Sequence, residues 1–123
     1  MVKIVFDNNI PIYSQIVDRF VIDICSGAMP PGSRITPVRE LAMQLGVNPN
    51  TLQRALGELE SMGLLFTERT AGRFVTEDAA LIDARRREMS RSVVSEFMER
   101  MRALGWNDEE TVKLITERRG ENE

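Results

Sequence analysis

Two apolar helical stripes lie almost end to end in the middle of this chain. Val38, Leu41, Ala42 and Leu45 fall on one face of a short helix. Leu52, Ala55, Leu56 and Leu59 fall on one face of the next, at the spacing i, i+3, i+4, i+7. Only Gly46-Val47-Asn48-Pro49 separates them. Gly46 allows the left-handed residue that closes a helix. Asn48 followed by Pro49 is a start signal: a side-chain acceptor for orphan N–H groups, then a residue that needs no donor. Two helices joined so tightly must cross steeply, so both stripes turn inward and the second helix projects from the body. The projecting side carries Asn48, Asn50, Thr51, Gln53, Arg54 and Gly57.

The flanking segments complete the pattern. Ile12 to Cys25 is expected to form a first helix, with Ile12, Ile16, Phe20 and Ile24 repeating every four, Pro11 in its first turn and Gly27 at its end. Gly27 to Gly32 is expected as a loop. Thr36-Pro37 reads as a second start signal, with Thr36 capping and Pro37 at the first helical position. After Gly63, Leu64–Thr67 and Phe74–Thr76 read as strands, joined through Glu68-Arg69-Thr70-Ala71-Gly72-Arg73 into a β-hairpin with a basic tip. Helix, short helix, tight turn, projecting helix and basic hairpin is the order of a winged helix-turn-helix.

From Asp78 a long helix is expected, with the stripe Met89, Val93, Val94, Phe97, Met101 and Leu104, ending at Gly105. Asn107 with Glu110 forms a capping-box start for a last helix bearing Val112, Leu114 and Ile115. The tail from Arg118 is expected to fray. The fold class is therefore mainly α with a small β-hairpin: a winged helix-turn-helix over residues 1–76, then a two-helix dimerisation segment over 77–123.

Composition excludes several functions. The 123 residues contain no histidine and one cysteine, Cys25, which removes the commonest general base and argues against a zinc site. Neither a catalytic constellation nor a cofactor is expected, and the chain is read as a non-enzyme. Cys25 is expected as a small buried hydrophobe. No signal peptide or membrane-length apolar run is seen, so a cytoplasmic protein is expected. The net charge of −3 favours an alternative, a winged-helix adaptor for proteins that binds no DNA. Yet residues 1–76 balance seven acids with seven bases, so the whole negative excess lies after Thr76.

Asn and Gln can read adenine through two hydrogen bonds, and Arg can read guanine. Their clustering at the start of the projecting helix is what major-groove readout needs. Arg69 or Arg73 on the hairpin can face phosphates or the minor groove. Arg85-Arg86-Arg87 could touch DNA flanks, but a solvated face screened by Asp83 and Glu88 is the preferred reading. Gly57 could permit close approach or be a tolerated helix weakness.

The chain resembles the GntR family of bacterial regulators, and within it the small YtrA-like subfamily. The resemblance rests on Phe6, Pro11-Ile12-Tyr13, Gln15-Ile16, Gly27 and Pro31-Gly32. It is strongest in Val38-Arg39-Glu40-Leu41-Ala42 and in the run from Leu45 to Leu56. It continues through Glu58-Leu59-Glu60, Gly63-Leu64 and Gly72 to Asp78. It implies a winged-helix DNA-binding domain, a homodimer on a palindromic operator in double-stranded DNA, and repression of the regulator's own operon, with transporter genes as suggested cargo. It further implies that Arg39 contacts the DNA backbone or a nearby base, that residues 48–54 enter the major groove, and that Gly72 lets the wing approach DNA.

Three positions depart from the family pattern. Pro49 stands where many relatives have Arg. Thr36-Pro37 stands for a usual Pro-Ser. Thr70-Ala71 stands where relatives often have Gly and a basic residue. The 47 residues after Thr76 are too few to enclose a drug-sized cavity in one subunit. Their stripes are assigned to dimerisation through Val93, Phe97, Met101, Leu104, Trp106 and Ile115. Trp106 could instead be core, or line a small pocket between subunits. No small-molecule effector is identified.

Overall fold

The computed structural model describes residues 3–121. Their elements run in the order α1 (Ile12–Ser26), α2 (Val38–Leu45), α3 (Pro49–Ser61), β1 (Leu65–Glu68), β2 (Gly72–Val75), α4 (Ala79–Ala103) and α5 (Asp108–Glu121). The chain divides into two compact units, Met1–Arg86 and Arg87–Glu123.

In the first unit, α1 packs on α3. Ile16, Phe20 and Ile24 of α1 and Leu52, Leu56 and Leu59 of α3 are each at most 2 % exposed. These are the residues that the stripes predict. Leu41, Ala42 and Leu45 of α2 close the remaining side. Burying six such side chains, at roughly 1.5–3 kcal/mol each, is what holds the crossed helices together. Gln15 secures the segment ahead of α1: its side-chain N–H group donates to the Asp7 and Ile10 carbonyls at 2.7 and 3.0 Å, while Asp7 N–H donates back to its amide oxygen at 2.8 Å.

The turn between α2 and α3 forms as its residues dictate. Gly46 takes φ 68°, and Asn48 caps α3 by accepting from Asn50 N–H at 2.7 Å, with Pro49 at the first helical position. The start of α2 is shifted by one residue from the sequence expectation. Pro37, not Thr36, holds the cap position, with φ −52° and ψ 145°, and no side chain caps the helix. The cause lies just upstream. Residues 33–35 run extended beside β2 after the turn at Gly32: Gly32 N–H donates to Val75 O at 2.9 Å, Val75 N–H to Ser33 O at 2.9 Å and Ile35 N–H to Arg73 O at 2.8 Å. The extended path carries through Pro37 before the chain can coil.

This bridge at Arg34 and Phe74 makes β2 the middle of a three-segment wing, where the sequence suggested only a hairpin. Phe66 and Phe74 stack across β1 and β2 with ring centres 5.7 Å apart. The strands are displaced by one or two residues from their expected bounds, so Glu68 pairs with Gly72 and the connecting turn is Arg69-Thr70-Ala71. Together these segments complete a winged helix-turn-helix.

The unit extends beyond Thr76 into α4. Ile82 is buried, and Arg85 donates from two nitrogens to Met62 O at 3.0 and 3.3 Å, satisfying a carbonyl at the end of α3. Arg86 pairs with Asp83. Arg86 thus meets the expected Asp83, whereas Arg85 is half-buried against the end of α3 and does not lie on a solvated face. Cys25 is half-buried, with its thiol 3.8 Å from Ile82 O, and burial pushes its pKa up despite the opposing charge of Arg86.

In the second unit the expected capping box is present: Asn107 N–H donates to Glu110 at 3.0 Å and Glu110 N–H to Asn107 at 2.8 Å. Arg102 grips Asp108 through paired hydrogen bonds of 2.9 and 3.0 Å, which hold the Asp108 carboxyl below its ordinary pKa. The tail expected to fray from Arg118 is helical through Glu121, where Arg118 and Arg119 face the negative end of the helix dipole. Among the described residues, no helix is long and apolar enough to cross a membrane.

Candidate nucleic-acid interface

The N-terminal half of α3 presents an exposed polar surface. Asn48, Asn50, Gln53 and Arg54 are exposed and Thr51 is half-buried. Three features hold this surface rigid. The Asn48 cap fixes the first turn. The Arg54 guanidinium lies over the ring of Tyr13 of α1, 3.7 Å from the ring centre, an arrangement worth about 0.5–1 kcal/mol at an exposed site. Gln53 accepts a hydrogen bond from Arg73 of β2 at 3.0 Å.

Arg73 therefore does not project from a free hairpin tip. It is half-buried, and its Nε donates to Glu60 of α3 at 2.6 Å. Thr67 of β1 donates to the same Glu60 oxygen at 2.6 Å. Burial opposes the Glu60 charge, but the hydrogen bonds from Thr67 and Arg73 and the Arg73 charge outweigh it, and the net pKa lies below the ordinary carboxylate value. Wing and α3 are fastened through one carboxylate. The guanidinium edge that remains faces Gln53.

Arg69 sits exposed in the turn of the wing. Gly72 takes φ 105°, and a Cβ built there would come within 3.2 Å of Arg34 Nε. A side chain at this position would thus be strained and would press on an arginine. Arg34 is not marked by the sequence, because its role depends on the bridge to Phe74, forty positions further along the chain. Arg34 and Arg73 line an open groove of about 290 Å3 between the start of α2 and the wing, with Thr36, Pro37, Thr67 and Gly72. Arg39 is exposed on the first turn of α2. Arg34, Arg39 and Arg69 form no ion pair among the described residues. The arrangement offers fixed polar side chains on one helix, beside three arginines free to meet phosphates.

The residues assigned to dimerisation lie in the second unit. Phe97 and Trp106 are each 40 % exposed and Leu104 is 74 % exposed. Val93 and Ile115 are also exposed, and Met101 is half-buried. Trp106 is therefore not a core residue of its own chain. Val93, Phe97, Met101 and Leu104 border an open groove of about 440 Å3 together with Glu96 and Arg100.

Residues 12–75 match the family model described as bacterial regulatory proteins, gntR family. The chain is 36 % identical over 110 residues to the uncharacterized HTH-type transcriptional regulator YhcF of Bacillus subtilis, covering 89 % of this chain and 91 % of that one. It is 38 % identical over 79 residues to the HTH-type transcriptional repressor YtrA of the same organism, covering 64 % and 61 %. The fold is similar to that of a GntR family transcriptional regulator from Listeria monocytogenes, with a TM-score of 0.85 at 36 % identity over 91 % of this chain and 98 % of the other. It is also similar to the DNA-binding domain of AraR in complex with operator ORX1, with a TM-score of 0.52 at 30 % identity over 62 % and 93 %. These relatives are transcriptional regulators rather than enzymes, and the adaptor alternative drawn from net charge falls away. The polar face of α3, its fastening to the wing and the matched sequence agree: the chain belongs to the gntR family of bacterial regulatory proteins, with the family's DNA-binding domain in residues 12–75.

Proposed function

We propose that the protein is a dimeric repressor, acting in the cytoplasm on a palindromic operator that includes its own promoter region. The observation that carries this reading is the rigid, exposed start of α3 beside the wing arginines. An α-helix fits the major groove, and its N-terminal side chains reach base edges first. Asn48, Asn50, Thr51, Gln53 and Arg54 are assigned to that contact. Arg39, Arg34 and Arg69 are assigned to phosphates, and Gly72 to close passage of the wing along the backbone. Arg73 belongs to the interface as the residue that joins wing to helix.

The second unit supplies the symmetry. Its exposed stripe of Val93, Phe97, Met101 and Leu104, with Trp106 and Ile115, is covered by the same surface of a second copy. The two heads then meet half-sites about one helical turn apart. Binding of this kind blocks transcription without any further domain. The YtrA relative of Bacillus subtilis is a transcriptional repressor, which supports that direction of control.

A mobility shift with the chain's own upstream DNA tests the reading, with sedimentation confirming a folded dimer. A specific shift that weakens steeply with salt, at a log–log slope near −0.9 per phosphate contacted, is expected. A folded dimer that shifts no sequence specifically at low salt would refute it.

A further inference from the structure

Arg73 does more than fasten the wing. A guanidinium has five N–H donors and no acceptor, so the atom of Gln53 that meets it must be the amide oxygen, and the contact of 3.0 Å is that pair. The other Arg73 contact, to Glu60 at 2.6 Å, anchors the guanidinium from behind. Gln53 is exposed and one helical turn inside the capped start of α3. The bond from Arg73 holds its oxygen toward the wing, while the two N–H donors of the amide make no hydrogen bond among the described residues.

That orientation changes what Gln53 can read. An adenine edge asks the amide to donate to N7 and to accept from the N6 amino group, so it needs the oxygen. A guanine edge offers two acceptors, N7 and O6, and asks only for donors. We infer that Arg73 sets the hydrogen-bonding face of Gln53, so that this glutamine selects a G·C pair over an A·T pair in the operator. Arg73 acts here as a positioning residue, and Gln53 makes the contact. The inference rests on the proposal that α3 reads the operator.

Selection from a random duplex library tests it, using the full chain as wild type, Gln53→Ala and Arg73→Met. The position read by Gln53 is the one whose preference disappears in Gln53→Ala. At that position the wild type is expected to prefer G·C over A·T by about tenfold. Arg73→Met frees the amide oxygen, and A·T is expected to rise there while the rest of the motif stays the same. An A·T preference in the wild type overturns the inference. So does a motif unchanged by Gln53→Ala, or a G·C preference undiminished in a folded Arg73→Met. Wild type and Gln53→Ala decide which pair Gln53 selects, and Arg73→Met, or Arg73→Leu where the Met variant does not fold, decides whether Arg73 sets that choice. A wild type that selects no motif at all strikes instead at the DNA-binding proposal.

Discussion

The two units use the same helical periodicity to opposite ends. In the first, the stripes of α1, α2 and α3 meet each other, and Phe20, Leu52, Leu56 and Leu59 lose all contact with water. In the second, α4 and α5 carry stripes of similar spacing, yet Val93, Phe97, Leu104, Val112 and Ile115 stay exposed and Thr111 is the buried residue of α5. The difference teaches that periodicity reports a face needing cover, not where the cover comes from. Three crossed helices can bury one another. The 35 described residues of the second unit have too little surface to do the same.

Substitutions in the two stripes should therefore separate folding from association. Phe20→Ala should cost the winged unit about 3–5 kcal/mol, measured by denaturant unfolding; a loss below about 1 kcal/mol would remove the distinction between a closed and an open stripe. Phe97→Glu should leave that unit folded and weaken the dimer by roughly 2–3 kcal/mol, since an apolar ring is lost from each copy. Sedimentation at several concentrations reads this directly. Unchanged association would show that the stripe of the second unit is covered in some other way.

Two smaller effects sharpen the picture within the winged unit. A Cβ at Gly57 meets nothing within 4 Å, so Gly57→Ala should stabilise α3 by about 0.5–1 kcal/mol. If stability rises while operator affinity falls, the glycine serves approach to DNA; if both hold or improve, it is only a weak point of the helix. Glu60 gives the least effect. Its folded pKa lies below its unfolded value, so the stability it contributes is complete above the ordinary carboxylate range and fades as pH falls through the folded pKa. For a partly exposed group the loss should stay within about 1 kcal/mol. Acid titration of thermal stability should show this component in the wild type and not in Glu60→Gln.

Local chemistry made much of this fold legible. Asn48-Pro49 and Asn107 with Glu110 mark helix starts because cap and capped group lie within three residues of each other. Gly46 and Gly27 mark ends for the same reason. What escaped the sequence depends on distant pairing. Residues 33–35 carry no strand pattern of their own and become extended only beside β2, which also moves the start of α2 past Pro37. The candidate site divides in the same way. The polar cluster on α3 was visible from its spacing, whereas the seat of Arg54 on Tyr13 and the turn of Arg73 toward Glu60 and Gln53 join residues 13 to 41 positions apart. Arg73 could be recognised as a cation near DNA, but not as one already engaged by its own protein.

The hydrogen bond from β2 to Gln53 also bears on how such regulators diverge. Two descendants of one gene could keep the same α3, letter for letter, and still part company over which promoters they occupy, through a single codon change at position 73. Grouping relatives by α3 alone would then merge regulons that the cell keeps apart. The natural unit for comparing them is the pair of positions 53 and 73, inherited and altered together.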